Sequence, residues 1–158
     1  PMEAAFSMMR ALNTDFTRIP DGIEWMISMM GQPIFERRSP DGYPDVKEVW
    51  ANSMSILYRW NIAVGITENW LSGDDAGHTM QTDVYSQTPP EIRTATALAD
   101  FWIQRILGRP MSDADRAAVI AVMAQEYTAD EQLPDDHVRY ALPAMVEVIL
   151  MSPDFQWK

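Results

Sequence analysis

Arg59 and Asn61 stand two residues apart in "RWN", inside an otherwise apolar run. A guanidinium is a strong ligand for a carboxylate or phosphate, and a buried amide beside it helps to shape an anion pocket. Gln32 and Asp45, in the segment preceding this run, complete the candidate ligand-binding set. A second reading stands beside the first: Arg59 ties its helix to that segment at Asp45, and Asn61 satisfies a buried carbonyl. The stretch "GDDAGHTMQTD" gathers Asp74, Asp75, His78 and Asp83. Oxygen-rich loops hold calcium, which makes Asp74, Asp75 and Asp83 the candidate metal ligands. The one-three-five spacing and closing glutamate of a regular calcium loop are missing, and a solvated loop is the competing reading. In "TADEQLPDDH" the acids Glu131, Asp135 and Asp136 lie beside His137 and suit the positive end of a helix. Catalytic groups are scarce: two histidines, no cysteine, no Gly-x-Ser-x-Gly and no His-Glu-x-x-His. A carboxylate pair such as Glu68 with Asp74 is the remaining route to acid–base work, and no catalytic residue is assigned.

The elements that must position these groups read as helix, turn, helix throughout. Residues 2–13 place Ala5, Met8, Met9 and Leu12 on one stripe, and residues 21–30 do the same with Ile23, Met26, Ile27 and Met30. Gly31 suits a left-handed helix end, and Pro33 forbids resumption. The segment "GQPIFERRSPDGYPD" (31–45) is then expected to form an ordered elbow, with Phe35 and Tyr43 folded back onto the helices and Asp45 and Glu48 arranged like a capping box. The helix it launches, 45–71, is the longest and most apolar. Trp50, Met54, Leu57, Trp60, Val64 and Leu71 share one arc, expected to face inward. The strip around Ala51, Ser55 and Arg59 is expected to be wet, with Asn61 and Glu68 paired inside the apolar arc. Residues 72–88 read as a polar loop. Helices follow over 89–107, from Ser112, and over 135–151, where Pro143 is expected to kink or divide the last one. No strand is expected. The fold class is all-α, a compact bundle of five or six helices in a single domain, with 45–71 at its centre.

Composition narrows the function. The 158 residues carry a net charge of −11, which repels phosphate backbones and leaves no place for nucleic acid. No run is long and apolar enough to span a membrane. The absence of cysteine removes disulfides and thiolate sites, and fits either a reducing compartment or an exported protein stable without cross-links. The six tryptophans and twelve methionines suit either helical cores or an adaptable binding surface.

Three pieces together resemble a known bacterial family. The elbow "GQPIFERRSPDGYPD" is followed by "ILYRWNIA" on the long helix, and the chain ends in "LMSPDFQ". This resembles the C-terminal part of the family known as domain of unknown function eighteen hundred. Its members have a Gly-Gln-x-Pro-Phe-type elbow and a Gly-Trp-Pro turn, then an Arg-x-Asn-x-Ala helix and a Ser-Pro-Glu-Phe-Gln-type ending. Here Tyr43 stands where a tryptophan is usual, and Asp154 replaces the glutamate. The resemblance implies a C-terminal portion of a larger exported protein, periplasmic or extracellular, with no assigned activity. The function expected is a non-catalytic helical module that packs against the remainder of its parent chain or a protein partner. The alternatives are part of a hydrolase-like enzyme whose site is shared with a preceding region, and a calcium-stabilised scaffold.

Overall fold

Side-chain caps set where the helices starting at Ser53, Ala95 and Asp113 begin. The structure, a computed structural model, describes residues 1–37, 41–44, 46–71 and 80–157. Within them the order is α1 (Met2–Ala11), β1 (Asp15–Phe16), α2 (Asp21–Met29), a 3-10 turn (Lys47–Trp50), α3 (Ser53–Thr67), β2 (Met80–Gln81), α4 (Ala95–Leu107), α5 (Asp113–Ala124), α6 (Asp135–Met151) and α7 (Pro153–Gln156). The fold is all-α, as expected. The only sheet among the described residues is the two-residue antiparallel ladder of β1 and β2, which sequence patterning had not suggested; two residues are too few to show alternation.

By contact the chain forms two compact units, Pro1–Thr82 and Asp83–Lys158. In the first, α1 and α2 pack on α3. Met8 and Met9 of α1, Leu12 just after it, and Ile23 and Ile27 of α2 are buried, as are Ile62, Ala63 and Ile66 of α3. The long helix expected over 45–71 is shorter at both ends. Asn52 accepts a hydrogen bond from the Ser55 N–H at 2.9 Å and so starts a fresh helix after the 3-10 turn. Asn69, at a φ of +60°, ends it, because a short amide side chain tolerates the left-handed conformation. The Asn69 amide then donates to the Thr82 carbonyl at 2.8 Å and accepts from the Thr82 N–H at 2.7 Å, fixing the end of α3 to the end of β2.

Within the described part of the elbow, 31–37 and 41–44, one of the two aromatics makes the holding contacts. Tyr43 donates to the Pro33 carbonyl at 2.6 Å, lies edge-on to Trp50 and sits beneath Arg37. Phe35, expected to be folded inward, is fully exposed at a φ of +62°. Asp45 lies outside the described residues, and the capping role expected of it belongs to Asn52.

In the second unit α4, α5 and α6 pack on one another and α7 on α4 and α6. Helix α4 starts six residues later than expected: Pro89 and Pro90 sit in turns, and the Thr94 hydroxyl caps the helix by accepting from the Ala97 N–H. Trp102 is wholly buried and donates from Nε1 to the Thr88 hydroxyl at 3.1 Å. Ser112 caps α5, and Gly108, at a φ of +69°, closes α4. Helix α6 runs through Pro143 without being divided.

Candidate functional site

Helix α3 is turned round relative to its sequence pattern. Ser55 and Arg59, expected on a wet strip, are 0% and 6% exposed. Met54, Leu57 and Trp60, expected inward, are 50%, 50% and 42% exposed. Asn61 and Glu68, expected in a buried arc, face solvent. The physical reason is that α3 is apolar nearly all round, so it has almost no net apolar direction. The inner face is set by Ile62, Ala63 and Ile66, small or branched side chains that pack closely under α1 and α2. The bulky Met54, Leu57 and Trp60 are left outside.

Arg59 and Gln32 both act at the start of α1. The Gln32 side-chain amide oxygen Oε1 accepts from the Met2 N–H at 2.8 Å, satisfying one of the helix's open donors. Burial holds the Arg59 guanidinium below its ordinary pKa. Burial first and the Arg59 charge second push the Pro1 amine from 8.0 down to about 6. Asn61 faces away, so the expected pairing of Arg59 with Asn61 in one pocket is not formed. The Ser55 hydroxyl, one turn before Arg59, has no hydrogen-bond partner among the described residues.

The depressed amine gives a pH effect of definite sign. Between pH 8 and 6 the unfolded chain binds a proton at Pro1 that the folded chain does not, so stability rises with pH across this window. After allowance for solvent screening the gain is about 1 kcal/mol. Urea titrations at pH 6 and 8 should show it, and acetylating Pro1 should abolish this part of the difference.

Elsewhere the candidate groups are occupied structurally. Asp83 accepts from the Ser86 N–H at 2.9 Å and closes a turn, whereas Asp74, Asp75 and His78 lie outside the described residues. No three acids or histidines converge on a possible metal position among the described residues. Glu131 accepts from the Thr128 N–H, and His137 Nε2 donates to the Met123 carbonyl while its ring meets Tyr127 edge-on. Asp135 accepts from the Tyr85 hydroxyl and Arg139, with Arg93 at 3.5 Å. The Tyr85 bond first, then that of Arg139, hold its pKa below the ordinary carboxylate value. A cavity of about 340 Å³ beside α1 is lined by Phe6, Met9, Arg10, Asn13, Thr14 and Phe16; Arg10 there is paired with Glu3, and the lining has no carboxylate or histidine.

What remains without a structural task is apolar. Over Ser53–Thr67 the only charged side chain is Arg59, and it points inward, so the solvent face of α3 is uncharged. On the neighbouring helix Trp25 and Met29, one turn apart, are 56% and 47% exposed, and the Trp25 ring meets Tyr58 of α3 edge-on at 5.5 Å. Tyr58 thus brings the α2 row against one edge of the outward face of α3. Sequence reasoning missed it by placing α3's large side chains in the core; the absence of any charge opposite Arg59 was the available signal.

Neither a curated protein nor a solved structure matches the chain. The family model described as a protein of unknown function, DUF1800, matches residues 1–157. With its elbow, its Arg59 helix and its Ser-Pro-Asp-Phe-Gln ending in the order expected of that family, the chain belongs to DUF1800.

Proposed function

We propose that the chain is a non-catalytic docking module of an exported bacterial protein. It packs against the remainder of its parent chain or a separate protein through the outward face of α3 and the Trp25–Met29 row of α2. The observation that carries this reading is the uncharged, aromatic- and methionine-rich surface formed by Trp25, Met29, Met54, Leu57 and Trp60. Scattered exposed apolar side chains are ordinary on a protein surface, but a joined patch of them marks an interaction site. Tryptophan and methionine are also enriched at protein interfaces, and the flexible methionine adapts to a partner's shape. Export and a periplasmic or extracellular location rest on the family resemblance alone.

Hydroxyl-radical footprinting tests the reading, because methionine and tryptophan side chains are its most reactive targets. Met54, Trp60 and Trp25 should be labelled readily in the purified chain and protected severalfold in intact cells of the source organism. Equal labelling in both settings would mean that nothing covers the face, and the docking role would be lost.

A further inference from the structure

We infer that the element docking on this face is an amphipathic helix bordered by lysine or arginine. This rests on the docking reading above and specifies its partner. Two packed helices present the surface, and Trp25 of α2 meets Tyr58 of α3 edge-on between them. Rows of side chains on packed helices form ridges and grooves that receive another helix. A strand would need an open sheet edge to pair with, and the backbone groups within α2 and α3 are bonded inside the helices.

Charge selects the partner's border. On α3, Leu57, Asn61, Val64 and Glu68 follow one another at helical spacing, so the exposed Glu68 carboxylate closes the end of an uncharged row. On α2, the exposed Glu24 directly precedes Trp25. Neither glutamate has an ion pair among the described residues, whereas Arg10 and Arg18 are matched by Glu3 and Asp21. Helix α3's single cation is turned into the core. With a net charge of −11, two copies of this chain repel each other, which disfavours a self-complementary dimer on the same face. A cationic border on the partner neutralises Glu24 and Glu68 and leaves the apolar rows to provide the contact area.

The test is a fluorescence-anisotropy titration of the purified chain with two idealised amphipathic helical peptides, one of leucine and lysine, the other of leucine and glutamate. The leucine–lysine peptide should bind at least about tenfold more tightly, and the difference should shrink with added salt. Glu24→Lys with Glu68→Lys should abolish or reverse the preference. Leu57→Glu with Trp60→Glu should remove binding of both peptides. Trp25→Ser, on the other helix, should weaken it independently if the double variant fails to fold.

Equal affinity for the two peptides, lost in the Leu57→Glu, Trp60→Glu chain, would overturn the charge inference and leave the docking face standing. Leucine–lysine binding that survives both the double variant and Trp25→Ser would show attraction to the acidic surface in general, and overturns the inference. Concentration-dependent dimerisation of the unmodified chain, abolished by Leu57→Glu, would make a second copy the occupant and overturn it as well.

Discussion

Replacing Arg59 with alanine should destabilise the Pro1–Thr82 unit by about 3 kcal/mol. The side chain is long, 6% exposed, and engaged with its surroundings beneath the start of α1. Truncation removes the packed methylene stem and leaves space under α1 and α2. It also strips a buried charge from groups arranged around it, which costs more than the net value of the original contact. Arg59→Met keeps the stem's volume and should recover part of the loss, because an apolar side chain leaves no charge to solvate. Urea denaturation followed by tryptophan fluorescence measures both. A loss under about 0.5 kcal/mol for Arg59→Ala, the range of an ordinary surface substitution, would show that the guanidinium reaches water after all.

Gly65→Ala should cost about 2 kcal/mol in the same unit. Leu71 folds back onto the helix at this position, and its N–H is 3.4 Å from the Gly65 carbonyl oxygen. A Cβ added at Gly65 would stand 2.1 Å from Leu71 Cδ1 and 2.4 Å from its Cγ. Contacts that short require Leu71 to move, and at 7% exposure it has little room to do so. On an ordinary exposed helix the same change would be stabilising by up to about 1 kcal/mol, since alanine is the better helix former. The sign of the effect therefore decides whether Leu71 sits there. Gly65→Ala combined with Leu71→Ala should be less damaging than the sum of the two single changes, because the second substitution removes the clash.

Much of the fold was legible because helices α1, α2, α4 and α6 have one apolar stripe each, and caps such as Ser112 and Gly108 are chemically distinctive. The ends of α3 were less so. Asn52 and Asn69 start and stop it, yet asparagine is common in many settings and a continuous apolar pattern ran past both. The orientation of α3 was the larger miss. A helix with Met54, Leu57, Trp60, Ile62, Val64 and Ile66 distributed around it carries little information on which side meets its neighbours. Under that ambiguity a lone arginine and a serine looked like a wet edge. The core instead took the strip with the smaller side chains, Ala63 and Gly65, against which α1 and Leu71 approach closely. Of the candidate site, Gln32 bonds the Met2 N–H, and the buried Arg59 charge is felt at the Pro1 amine. Asn61 was assigned to the wrong face, and Asp45, Asp74 and Asp75 lie outside the described residues.

The chain has no cysteine, so a single introduced thiol reports its own surroundings without background. Leu57→Cys and Ser55→Cys, each treated with a thiol reagent under native conditions, compare the two faces of α3 most directly. Leu57→Cys should react close to the rate of an unstructured peptide thiol, and Ser55→Cys at least about a hundredfold more slowly, since its modification waits for the unit to open. Fast modification at 55 with protection at 57 would put the arginine strip in water and the large apolar side chains in the core, leaving no outward face for a partner to cover.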